Sequence, residues 1–340
     1  MKGEAPMHRK RIFPALFLLA VLLLTACCAK SETRTVYTMD TVMTLTVSGK
    51  NAAAALDRAE AELLRLDALL DRHDGKSALA ALNENSAAQD AELAALLTRT
   101  KELSVRTNGA FDPTLTPVLD AWGFGTDAPR IPSDTELAEL LEAVDAKRIT
   151  VSGADISLTA GTQVDLGGIA KGYAGERVRA VFAEDGIESA VIDLGGDVCL
   201  MGAKPDGSPW RVAVKDPADS AQYIGILSAA DTFVVTSGAY ERYFEADGVR
   251  WHHIIDPATG KSARSGLVSA TVVCADGAAA DALATAVFVM GADEARAFYE
   301  KDGSFELILV TEDGRVLYTD GLAESFVPNT ESGYSYEKLS

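Results

Sequence analysis

Thr162-Gln163-Val164-Asp165-Leu166-Gly167-Gly168-Ile169-Ala170-Lys171-Gly172-Tyr173 carries a short strand, Thr162 to Val164, across two glycines into the start of a helix. Strand side chains alternate between two faces, whereas helical ones repeat about every 3.6 positions, so a chain that switches period this abruptly belongs to a mixed class. Glycines let a backbone approach a ligand closely. The free N–H groups of a helix start favour an anion, and Lys171 adds a full positive charge. The stretch matches neither GxxxxGK[ST] nor GxGxxG, so the common nucleotide motifs are absent.

Upstream of this turn the chain reads mainly as helix. Val36 to Val47 alternates as a strand does, and then Leu56, Ala59, Leu63, Leu66 and Leu70 recur at three- and four-residue steps, on one helical face. A second helix starts at a capping Asp90, runs to about Arg106 and stops near Asn108-Gly109; a third is announced by the capping box Ser133-Asp134-Thr135-Glu136. From Arg148 onward, short β-branched runs with Gly/Asp turns predict strands, interrupted by helices near 168–184, 276–290 and 292–300. The fold class is α+β, with a helical first half and a sheet-rich second half packed as one unit. No internal repeat is visible, and the polar tail after Val327 reads as loose.

The 340 residues, 48% hydrophobic and 24% charged, suffice for a sizeable core. Fifty acidic against 31 basic residues give a net charge of −19, which argues against nucleic acid as a partner. The N-terminus reads as a targeting segment: basic His8 to Arg11, the apolar run Ile12 to Leu24, too short to span a bilayer, and then Leu24-Thr25-Ala26-Cys27. Small residues before a cysteine predict lipoprotein cleavage, with Cys27 as the lipidated first residue. The implied division is 1–27 signal peptide, 28–34 linker, 35–322 main unit and 323–340 tail. Cys199 and Cys274 lie in apolar stretches with no zinc-ligand spacing, and read as buried thiols or a disulfide pair.

Chemistry gathers at five places. Besides the Gly-rich turn, Asp281-Ala282-Leu283-Ala284-Thr285 puts a carboxylate and a hydroxyl four apart on one helical face, hard oxygen donors of the kind Mg²⁺ takes. Trp251-His252-His253-Ile254-Ile255-Asp256 sets two histidines on a strand, where neighbours face opposite ways, so only one can serve a given site. Gly109-Ala110-Phe111-Asp112-Pro113 with Trp122-Gly123-Phe124-Gly125, and Thr236-Ser237-Gly238-Ala239-Tyr240, complete the set. No GxSxG elbow supports Ser237 as a nucleophile.

In their order these blocks, with Met39-Asp40-Thr41, Ser77, Leu82-Asn83 and Asp193-Leu194-Gly195-Gly196-Asp197, resemble the ApbE family, the FAD:protein FMN transferases, from about residue 35 to 322. The resemblance implies an α+β fold, often in a lipoprotein, and Mg²⁺-dependent transfer of FMN from FAD to a threonine or serine of a target flavoprotein, releasing AMP. It implies Mg²⁺ on Asp281, Thr285 and the main-chain carbonyl of Gly168. Flavin dinucleotide contacts fall on Met39, Ala110, Phe111, Asp112, Asp165, Lys171 and Ile255 beside His253. His73 stands where relatives often have tyrosine. The catalytic pair is His253, as the base for the acceptor hydroxyl in preference to Asp256, and Asp281.

The implied acceptors are flavoprotein subunits of membrane redox complexes or extracellular reductases. The implied location is the extracytoplasmic face of the cell membrane, held by a lipid anchor. Two other readings use the same residues: an FAD pyrophosphatase that admits water and yields FMN and AMP, and a flavin-binding lipoprotein without turnover.

Overall fold

A computed structural model describes residues 31–339; Cys27 and the signal segment lie outside the described residues. Its helices are α1 (Ala52–Leu70), α2 (Ala78–Asn85), α3 (Ala91–Arg106), α4 (Thr116–Trp122), α5 (Asp134–Leu141), α6 (Ala170–Glu184) and α7 (Gly277–Asp302). The strands are β1 (Ser31–Thr38), β2 (Thr41–Ser48), β3 (Ala87–Gln89), β4 (Ile149–Ser152), β5 (Asp155–Leu158), β6 (Ser189–Asp193), β7 (Val198–Met201), β8 (Trp210–Lys215) and β9 (Tyr223–Ala229), followed by β10 (Thr232–Gly238), β11 (Tyr243–Ala246), β12 (Val249–His252), β13 (Leu267–Cys274), β14 (Glu306–Thr311), β15 (Arg315–Tyr318), β16 (Phe326–Pro328) and β17 (Ser335–Lys338).

The class is α+β. One nine-stranded sheet runs β1-β2-β6-β7-β10-β13-β14-β15-β17, so the first strands of the chain pair into the sheet of the second half. Helices α1, α6 and α7 cover one face and the small sheet β16-β9-β8 covers the other. Strand β14 shows why: Leu307 and Leu309 enter the helical core while Ile308 and Val310 enter the second core, so both faces of the pleat are buried and the strand reads as an unbroken apolar run. On α1, Leu56, Ala59, Leu63, Leu66 and Leu70 are all buried as their spacing predicts. At roughly 2 kcal/mol for each buried leucine, this face outweighs the marginal stability of an isolated helix.

Three expectations change, and the cysteine alternative closes in favour of buried thiols. Val36 to Val47 is not one strand but the hairpin β1–β2, turning at Met39 and Asp40, whose φ values are +48° and +56°. Two left-handed residues make a primed turn, and Thr38 pairs with Thr41 across it, so the buried positions change phase from Val36 and Thr38 to Met43, Leu45 and Val47. Thr162 to Val164 is extended but joins no sheet, because the Asn83 side chain supplies the pairing: Val164 N–H donates to Asn83 Oδ1 at 2.7 Å and Asn83 Nδ2 donates to Val164 O at 2.8 Å. The tail is ordered, with β17 parallel to β15. Cys199 and Cys274 are free and buried. Both are register partners of Phe233 from opposite sides, roughly 10 Å apart across two strand spacings, beyond disulfide reach.

Candidate functional site

The site forms where the first turns of α6 and α7 meet. Gly172 and Gly277 allow that contact: a Cβ on Gly172 would lie 2.0 Å from Gly277 O, and one on Gly277 would lie 2.5 Å from Gly172 O. The close approach lets Gly172 N–H donate to Asp281 Oδ2 at 3.0 Å, joining the Gly-rich turn to the Asp281–Thr285 face. Gly172→Ala is therefore expected to force the helices apart and cost about 1–3 kcal/mol, an overpacking penalty visible as a lower Tm in a thermal melt. An unchanged melt would contradict this packing.

Thr285 Oγ1 is 3.6 Å from the Cβ position of Gly168 and 3.4 Å from Ser237 Oγ. Phe111 lies against Gly168, its ring 3.2 Å from the same Cβ position. Asp281, Thr285 and Gly168, which are far apart in sequence, thus share one place. Among the described residues no three His, Cys, Asp or Glu side chains converge as metal ligands. A single carboxylate, a hydroxyl and a carbonyl instead fit Mg²⁺, which takes hard oxygens and leaves positions for phosphate and water.

Lys171 reaches from the first turn of α6 to Asp197, Nζ to Oδ2 at 2.8 Å, and keeps 27% of its side chain exposed. Burial pulls its pKa down, but the carboxylates of Asp197, Asp281 and Glu241 outweigh that and hold the ammonium charged. Burial raises the pKa values of Asp197 and Asp281, and Asp281 adds like-charge repulsion at Asp197. The turn offers an anion fewer amides than its sequence suggests, since Ile169 and Ala170 N–H donate to Leu166 O and Gly172 N–H to Asp281. Lys171 is consequently its main positive group.

The two histidines separate as alternating strand residues do. His252 is buried edge-on to Phe288, with Nε2 3.1 Å from Ala263 O. His253, just past β12, is half-buried with Nδ1 3.2 Å from Arg242 O. A carbonyl only accepts, so Nδ1 carries the proton and Nε2 keeps its lone pair. Burial, and then Arg242, push the His253 pKa down to about 4. Asp256 is spent on its own turn, accepting from Ala258 N–H at 2.9 Å and Thr259 Oγ1 at 3.0 Å.

The remaining candidates are less uniform. Met39, in the hairpin turn, packs partly against the main core. Ala110 packs against that core too, while the Asp112 carboxylate is held by Thr114 and by Ala146 N–H. Asp112 also lines a cavity of about 450 Å³ with Lys101, Lys147, Pro257 and Ala258. Asp165 accepts from Gly167 N–H at 2.7 Å and pairs with Arg72 Nε at 2.6 Å. The Ile255 side chain is buried with Trp122 and Leu137. The bridge to Ser262 is hydrogen-bonded by Ile254 and Asp256, so Ile255 turns its own N–H and C=O away from it. His73 is exposed, with its backbone N–H on Asp71 Oδ1. The Trp122 and Phe124 pair is core: Trp122 stacks on Phe124, tilts against Trp251 and donates to Gly260 O at 2.7 Å, fixing the segment that carries His253.

Three residues escaped assignment from sequence. The signal for Asp197 is the pair of glycines before it. Asn83 carries no local signal of its own. Arg72, which bridges Asp165 and Asp120, sits in a charged run that reads as solvated surface.

The ApbE family model matches residues 39–309. FAD:protein FMN transferase of Treponema pallidum (strain Nichols) is 33% identical over 292 residues, covering 80% of this chain and 81% of that protein. The crystal structure of the ApbE protein from Thermotoga maritima superposes with a TM-score of 0.81 at 32% identity, covering 86% of this chain and 98% of that one. Apo flavinyl transferase ApbE of Pseudomonas stutzeri gives a TM-score of 0.75 at 28% identity, covering 88% and 93%. A match over most of the chain, in sequence and in fold, places this protein in the ApbE family.

Proposed function

We propose that this protein transfers FMN from FAD to a threonine or serine hydroxyl of a target flavoprotein, releasing AMP. The observation that carries the reading is the meeting of Lys171, Asp281, Thr285 and Gly168 at the α6–α7 junction, with the Lys171 charge felt at His253, whose second ring nitrogen is free. The relatives' shared name supports the same reaction.

The acceptor oxygen attacks the FMN-side phosphorus, the P–O bond to the bridging oxygen breaks, and AMP leaves with that oxygen. His253 Nε2 takes the hydroxyl proton, the kind of assistance worth roughly 10²–10⁴-fold. Lys171 neutralises charge on the phosphate oxygens. Asp281, Thr285 and the Gly168 carbonyl would hold Mg²⁺, which when bound would supply Lewis-acid stabilisation of the same charge. Phe111, Ala110 and the left-handed Met39 border the flavin side, with Asp165 fixed by Arg72 and the Ile255 backbone turned outward. His73 offers a smaller ring than tyrosine for stacking. A transferase releases AMP in proportion to acceptor supplied, whereas a pyrophosphatase releases AMP and free FMN without one; chromatography of the products with and without acceptor separates the two.

The acceptors we infer are flavoprotein subunits of membrane redox complexes or extracellular reductases. No described helix is long and apolar enough to cross a membrane. The lipid anchor we infer is Cys27, from the small residues before it in the sequence. The mature protein is expected to begin at Cys27 and to partition with membranes, each buried lipid CH₂ adding about 0.8 kcal/mol. Cys27→Ala should leave it unprocessed or released; a soluble wild-type protein with another N-terminus would contradict the anchor.

A further inference from the structure

Asp197 lies at the end of a turn whose parts all serve its placement. Asp193 Oδ1 accepts from Gly195 N–H at 3.0 Å and Gly196 N–H at 3.2 Å, and Leu194 N–H donates to Asp197 O at 2.9 Å. Gly195 and Gly196 have φ of +80° and +108°, and a Cβ on Gly195 would fall 2.1 Å from Thr41 Oγ1, so the β1–β2 tip closes over the turn. The carboxylate delivered this way is 2% exposed, and neither oxygen has a well-formed hydrogen bond. Its counter-ion is Lys171. A buried ion pair is a poor device for stability alone, since apolar replacements often match it.

We propose that Asp197 is a positioning residue for Lys171. It draws the ammonium to one place on the inner wall while the exposed part of the side chain faces the site, so the lysine is oriented before FAD arrives. The proposal rests on Lys171 meeting the FAD phosphates. A free lysine loses its rotamer freedom on binding, whereas a held one has already lost it. Removing the hold is therefore expected to weaken FAD affinity by about tenfold.

The test is a double-mutant cycle of Asp197→Asn and Lys171→Met, with FAD affinity read by flavin fluorescence without metal, transfer rate with Mg²⁺, and Tm. Expected are a tenfold weaker affinity in Asp197→Asn, and a second loss under twofold when that change is added to Lys171→Met. Affinity and rate within twofold of wild type in Asp197→Asn overturn the proposal, as does an equal loss in both backgrounds. If Asp197→Asn alone fails to fold, Tm decides: the double variant is expected to melt above Lys171→Met, which leaves a buried carboxylate unpaired, and an equal or lower Tm overturns the pairing. FAD affinity unchanged in Lys171→Met would refute the phosphate contact and the proposal with it, whereas a loss there with none in Asp197→Asn refutes the positioning alone.

Discussion

Asp281→Asn is expected to lower FMN transfer by roughly 10³-fold or more, since several kcal/mol of charge stabilisation depend on one carboxylate and each 1.36 kcal/mol is tenfold. The fold should survive. Asparagine keeps the shape, and its side-chain oxygen can still accept from Gly172 N–H. Burial raises the folded pKa of Asp281, so its stabilising share is complete at low pH and is lost as pH rises through that value. Without metal at neutral pH the variant should consequently melt no lower than wild type, while losing the rise in Tm that Mg²⁺ gives wild type. Full activity at modest Mg²⁺, or an intact Mg²⁺ shift, would remove Asp281 from the metal site.

His253→Ala should slow transfer by about 10²–10⁴-fold while FAD affinity changes far less, because Lys171 and the residues around Gly168 still hold the dinucleotide. With its pKa near 4, the wild-type imidazole stays unprotonated, and no loss of rate between pH 8 and 6 should trace to it. The sign for stability is opposite to that of a histidine paired with a carboxylate. Because the folded ring resists the proton that the unfolded chain accepts near 6.5, stability falls as pH drops from there toward 4. His253→Ala should remove its share of that fall and leave that of His252, which is also held near 4. Equal losses of binding and rate would make His253 a ligand contact; an unchanged rate would make it an ordinary structural residue.

Local rules made the helices legible. Asp90 caps α3 by accepting from Leu93 N–H at 2.8 Å, and Ser133 caps α5 from Glu136 N–H at 3.2 Å. The two helices expected at 276–290 and 292–300 meet end to end within α7, interrupted at Gly291, where φ is +78° and Ser265 O would lie 2.7 Å from a Cβ. The Met39-Asp40 turn was illegible because neither residue is the usual glycine or asparagine. Asn83 likewise pairs with Val164 across 81 positions, a non-local bond that no window reveals.

The site was legible in part for the same reason. Asp281 and Thr285 share a helix, so their spacing already places them together. Lys171 with Asp197, and Asp165 with Arg72, meet only through tertiary packing. Glycine pairs hinted at both Gly172 and Asp197, but the need for them, helix against helix and turn against hairpin tip, appears only in three dimensions.

Intact mass spectrometry of a threonine-bearing acceptor after incubation with this protein, FAD and Mg²⁺ tests the central claim most directly. The acceptor should gain the mass of FMN less one water, with one AMP released for each acceptor modified and no gain when Mg²⁺ is chelated. FAD consumed to free FMN and AMP beside an unmodified acceptor would contradict transfer and make the protein a hydrolase.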